Sequence, residues 1–192
     1  MMRGAATRSG RAAAAAAGAL ALALAAAPGH VRAQSLAERQ SLEYPVKANY
    51  LVRFAAFVQW PPPAFATPQS PVVICVLGAD PFGAALDRAA AAHTAGGRPV
   101  VARRISKVDA RTGCHIVYVG RSKEQSQNEA LRALAGTPVL TVTDFGGPRG
   151  VIHFAVVGNK VKFHIDDRAA SRGGMTISSR LLSLALSVRQ RG

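Results

Sequence analysis

Two histidines oppose one another in the stretch VIHFAVVGNKVKFHID, residues 151–166. Gly158-Asn159 is a two-residue hairpin signal. Pairing outward from it sets Val157 against Lys160, Val156 against Val161, Phe154 against Phe163 and His153 against His164. Two facing imidazoles begin a metal site, but a metal needs three or four protein ligands. Only Asp166 and Asp167 lie near in sequence, so the pair reads as two solvated strand histidines and no metal is expected. Asp80 and Asp144 each follow a predicted strand. That places both at the carboxyl edge of a sheet, where α/β folds admit ligands and where paired acids serve catalysis or hold a cation. Asp80 sits in GADPFG, residues 78–83, which lacks the three-glycine spacing of a phosphate loop and reads as a tight turn with a helix cap. No Gly-x-Ser-x-Gly, Ser-x-x-Lys or His-Glu-x-x-His occurs. The chemistry-bearing residues therefore point to a binding protein without catalytic residues or cofactor, with Asp80 and Asp144 as its candidate ligand edge.

The elements that must position these residues alternate. PVVICVLG (71–78) is a short β-branched run, a buried strand. A helix opens at Asp80-Pro81 and runs to about His93. RPVVARRI (98–105), CHIVYV (114–119) and TPVLTVT (137–143) are further strands, with a helix from Ser122 to Ala135 closed by Gly136. The hairpin follows, with Ile152, Phe154, Val156, Val161, Phe163 and Ile165 on one face. A closing helix spans 177–189, with Ile177, Leu181, Leu184 and Val188 as its apolar stripe. The expected fold class is α/β: a mixed, largely parallel sheet flanked by helices, with a C-terminal β-hairpin and closing helix.

The first 33 residues read as an address. Arg3, Arg8 and Arg11 precede an apolar run over 12–27, Pro28-Gly29 breaks it, and Val31-Arg32-Ala33 fits a cleavage site. The run is too short and Ala-rich to span a bilayer. Residues 1–33 are thus expected to be a signal peptide, 34–43 a flexible N-terminus and 44–190 one domain, exported and at most peripheral to the membrane. Four basic residues and no acid lie in the leader, which takes the formal charge from +14 to about +10. The Lys and Arg are scattered without a nucleic-acid motif, so nucleic acid is excluded as a partner and the charge reads as a solvated surface. Cys75 and Cys114 are the two cysteines. In an oxidising compartment an even count suggests a disulfide, with two buried free thiols as the alternative.

KANYLVRFAAFVQWP, residues 47–61, carries Tyr50, Phe54, Phe57 and Trp60 and ends at three prolines. Val46, Tyr50, Phe54, Phe57 and Val58 recur at helical spacing, predicting an amphipathic helix over 44–60, and Arg53 argues against a membrane span. Its aromatics are either core or a surface offered to a partner. This run, with Phe54, Phe57, Trp60 and Pro61, resembles the opening helix of the YfiR family. ICVLGADPFG (74–83), CHIVYVG (114–120), the hairpin and ISSRLLSLA (177–185) are similar to further stretches of that family in the same order. The resemblance implies a periplasmic regulator, usually dimeric, that binds the periplasmic sensor part of an inner-membrane diguanylate cyclase. Inhibition of that enzyme would lower cyclic di-GMP and disfavour biofilm formation. It also implies a bond between Cys75 and Cys114, while the second cysteine pair of some relatives is missing. Tyr50, Phe54, Phe57 and Trp60 are the candidate partner-binding residues. The alternative is a periplasmic small-molecule sensor serving another membrane protein.

Overall fold

The computed structural model describes residues 36–191, so the expected signal peptide lies outside the described residues. Eight strands form one sheet, in the order β10 (Ser187–Arg189), β8 (Lys160–Asp166), β7 (Ile152–Val157), β6 (Leu140–Thr143), β5 (Ile116–Val119), β2 (Val72–Leu77), β4 (Arg98–Ile105), β3 (Thr94–Ala95). Its centre is three short apolar runs, β2, β5 and β6, with the longer, arginine-bearing β4 beside β2. These pair in parallel, as do β6 and β7 (Ile152–Val157). Every residue of β2, β5 and β6 is buried, because layers cover both faces of a parallel sheet. The two-residue β3 (Thr94–Ala95) adds antiparallel to β4 at one edge.

Alternation along the strands divides the core in two. Val72, Ile74 and Val76 join Ile116, Tyr118, Leu140 and Val142 beneath α1 (Leu36–Phe57) and α2 (Ala84–Ala91). Val73, Cys75 and Leu77 point to the opposite side, against Ala130 of α3 (Gln127–Ala133) and Leu134 after it. The disulfide between Cys75 and Cys114 lies in this second core, with Cα atoms 5.9 Å apart.

β7 and β8 (Lys160–Asp166) form the hairpin in the register expected from the sequence, with His153 opposite His164 and Phe154 opposite Phe163. Gly158 and Asn159 take φ of 53° and 59°, the left-handed pair that a tight hairpin turn requires. The loop from β6 to β7 is fastened by side chains. Thr143 Oγ1 accepts from the Gly150 N–H at 3.1 Å and Thr141 Oγ1 from the Val151 N–H at 2.9 Å. A Cβ on Gly150 would sit 2.6 Å from the Thr141 carbonyl oxygen, so glycine is required by close approach.

The helix boundaries differ from expectation wherever tertiary pairing competes with local pattern. α1 begins at Leu36, inside the stretch expected to be flexible, and carries Pro45 within it. It ends at Phe57 rather than at residue 60, because Val58–Gln59 (β1) pairs antiparallel with Thr176–Ile177 (β9). The helix expected from Ser122 starts at Gln127. Ser122 caps a turn, and a capping box between Ser126 and Glu129 opens α3. Asp80 likewise closes a turn onto the Phe82 and Gly83 N–H groups, and α2 follows from Ala84 to Ala91 instead of reaching His93. The largest correction concerns the closing helix. Only α5 (Ser179–Leu184) is helical, Leu184 is 60% exposed, and Ser187–Arg189 (β10) pairs in parallel with β8. The open backbone edge of β8 draws these residues out of the helix. The short α4 (Asp167–Arg172) bridges β8 to β9.

The disulfide holds β2 to the segment entering β5, residues 39 apart in sequence. A bridge of that span contributes about 4 kcal/mol in the chain-entropy account. The protein purified from an oxidising compartment is therefore expected to show no titratable thiol before reduction. A Cys75→Ser, Cys114→Ser variant should lose a comparable amount in urea unfolding.

Candidate functional site

α1 brings a lysine into the core. Lys47 is 3% exposed and buries with Ala48, Leu51 and Phe54 on the helix face turned to the sheet. Its ammonium donates to Asp144 Oδ2 at 2.8 Å and pairs with Glu43 one turn earlier. Tyr118 of β5 donates its hydroxyl to Asp144 Oδ1 at 2.7 Å. The ammonium also lies 4.9 Å from the Tyr44 ring centre and 5.6 Å from that of Phe154. Burial opposes the Lys47 charge, yet its bonds to Asp144 and Glu43 outweigh that and raise its pKa above the ordinary lysine value. Burial first, and the Asp144 carboxylate next, push the Tyr118 phenol far upward, so it remains a donor. Both oxygens of Asp144 are thus engaged from α1 and β5.

Asp80, the other expected ligand-edge residue, has a different cation. Its Oδ2 accepts from Arg104 Nε at 2.9 Å, and Arg104 reaches Asp87 Oδ2 and the Gly83 carbonyl, each at 2.9 Å. The two carboxylates share no partner. Each stitches a helix or turn to the sheet.

A second group forms at the opposite, amino end of β2 and β5. The His115 Nδ1 accepts from the Val73 N–H at 3.0 Å, which assigns the neutral tautomer with the proton on Nε2; that nitrogen meets the Ala64 carbonyl at 3.0 Å. The ring stacks on Phe65 at 4.3 Å, with Trp60 edge-on at 5.9 Å and the Arg98 guanidinium 3.8 Å above Phe65. The proline loop is thereby pinned to the sheet. Burial lowers the His115 pKa, and nearby Arg98 adds to the effect.

His153 and His164 face each other as expected, with ring centres 6.4 Å apart. The Nδ1 of His153 lies 2.9 Å from Thr143 Oγ1 and that of His164 lies 2.7 Å from Ser187 Oγ. They line a cleft of about 350 Å³ with Arg149, Asp166 and Arg189. Among the described residues no three His, Cys, Asp or Glu side chains gather as metal ligands.

The candidate partner aromatics separate. Phe54 is core, packed on Phe154 and Phe163 at 5.8 and 5.3 Å. Tyr50, Phe57 and Trp60 are half-buried against that core. Val46, assigned to the buried face by its spacing, is 45% exposed, and Lys47 takes its place inside. Sequence reading missed Lys47 because a lysine on a helix ordinarily reads as solvated. Its four-residue spacing from Glu43 was the available signal.

The chain is thus a layered α/β domain closed by a disulfide, in which Lys47, Asp144, Asp80 and Arg104 hold a helix or turn to the sheet. The YfiR/HmsC-like family model matches residues 44–186, and the chain belongs to the YfiR/HmsC-like family. Members are periplasmic regulators of cyclic di-GMP signalling rather than enzymes. Among the described residues no helix is long and apolar enough to cross a membrane.

Two outcomes follow from this chemistry. Lys47→Met leaves Asp144 buried without its cation and should destabilise the protein by about 3–5 kcal/mol in urea unfolding. Adding Asp144→Leu to that variant should recover part of the loss, giving a double-mutant cycle with strong coupling. The lowered His115 pKa means that its contribution is full above about pH 6.5 and is lost as pH falls through the folded value. Melting temperature should therefore fall on acidification below that point. The fall should be shallower in His115→Phe, which starts from a lower melting temperature because the Val73 N–H loses its acceptor.

Proposed function

We propose that this chain binds the periplasmic sensor part of a membrane-bound diguanylate cyclase and holds the enzyme inactive, lowering cyclic di-GMP and restraining biofilm formation. The match to the YfiR/HmsC-like family over residues 44–186 carries this reading. The internal pairing of Asp80, Asp144 and Lys47 supports it, because a domain that uses its charged groups to fix its own shape acts through its surface. The working form in this reading is a homodimer. A second role, sensing a small anionic solute on behalf of another membrane protein, is favoured by the cleft where Arg149, His153, His164 and Arg189 converge. Deleting the gene is expected to raise cellular cyclic di-GMP severalfold by mass spectrometry, with restoration by the plasmid-borne chain. An unchanged level would remove the cyclase reading and leave the sensor role.

A further inference from the structure

Leu42, Val46 and Tyr50 stand at steps of four along α1, so they form one stripe. The stripe runs outward from the core: Tyr50 is half-buried against Phe54, Phe154 and Phe163, while Leu42 and Val46 are exposed. It runs beside the tip of the β7–β8 hairpin, where Val156 and Val161 complete an apolar groove of about 510 Å³ with Asn159, Lys160 and Lys162 at its rim. Leu42 is 62%, Val46 45% and Val156 51% exposed, and the neighbouring Val157 is 53% exposed. Three of the seven large apolar side chains exposed among the described residues thus line one groove, and a patch of this kind marks an interaction surface. It falls at the opposite end of α1 from Trp60.

Charge decides the occupant. Glu43, the one acid in the groove, is paired with Lys47. Lys160 and Lys162 pair with no carboxylate among the described residues. The groove therefore offers apolar area flanked by two uncompensated ammonium groups. A second copy seated symmetrically would bring the same lysines to the same groove and no free acid with them.

We infer that this groove is the docking surface for an acidic, apolar-faced segment of the membrane-bound partner, whose carboxylates meet Lys160 and Lys162 while its apolar side chains cover Val46, Tyr50 and Val156. The inference deepens the cyclase-binding reading and rests on it for the partner's identity.

Photo-crosslinking in cells tests the surface. p-Benzoylphenylalanine is placed at position 46 or 156 of the full chain, with position 101 as control because Val101 is an exposed apolar residue of β4 outside the groove. The expected result is an adduct from 46 and 156 whose partner peptide, mapped by mass spectrometry, is acidic and belongs to a protein with a cyclase domain. It should fall at least tenfold when Lys160→Glu and Lys162→Glu are combined, two substitutions at the groove rim that leave the core intact. Equal adducts from position 101, adducts only between copies of this chain, insensitivity to the charge reversal, or no adduct would each overturn the proposal. A charge-sensitive adduct with an acidic segment of a different identified membrane protein, together with unchanged cyclic di-GMP on gene deletion, would keep the groove and discard the cyclase.

Discussion

A buried ammonium governs how this domain is put together. Lys47 cannot lie against the sheet without carboxylates: Glu43 accompanies it on α1, and Asp144 meets it after β6. Asp144 in turn needs donors for both oxygens, and the second comes from Tyr118 on β5. One helix and two adjacent strands are therefore held in one relative position by three side chains. Apolar packing alone would accept α1 at several rotations, since Leu51, Val52, Phe54 and Ala55 offer a broad apolar face. A single polar match selects among them, because every other rotation strands a charge in the core. The replacement of such a triad by apolar groups is often neutral in stability, which makes positioning the better account of its presence.

The same economy appears at Cys114 and His115. Neighbours in sequence on an extended segment point to opposite sides. Cys114 turns to the second core and bridges to Cys75, while His115 turns to the first side and fastens the proline loop through Ala64 and Phe65. Two unrelated chemistries thus hold both sides of the same point of entry into β5. The neutral imidazole is required there, since Nδ1 serves as an acceptor.

What could be read in the sequence was what depends on neighbours along the chain. The four central strands, the hairpin register from Gly158-Asn159 and the opposition of His153 and His164 all follow from local pattern, and the structure reproduces them. The disulfide was legible because two cysteines allow one pairing. Elements made by distant partners were not. β1 and β9 are two residues each and carry no periodicity, and β10 exists because β8 has an open edge. The inversion of Val46 and Lys47 was equally hidden. Spacing puts Val46 on the apolar face and lets Lys47 read as solvated, and the pairing with Asp144, 97 residues away, turns the lysine inward.

That inversion links the interior to the surface. Turning α1 so that Lys47 reaches Asp144 also leaves Leu42 and Val46 exposed beside the hairpin tip, with Tyr50 half-buried between them and the core. The exposed apolar stripe is therefore a consequence of the buried ion pair rather than a lapse in packing. A helix rotated to bury Val46 would expose the lysine but leave Asp144 buried without its cation. The arrangement found leaves apolar area in water and a charge in the core. The polar match inside and the exposed apolar residues outside therefore answer to one constraint on a single helix.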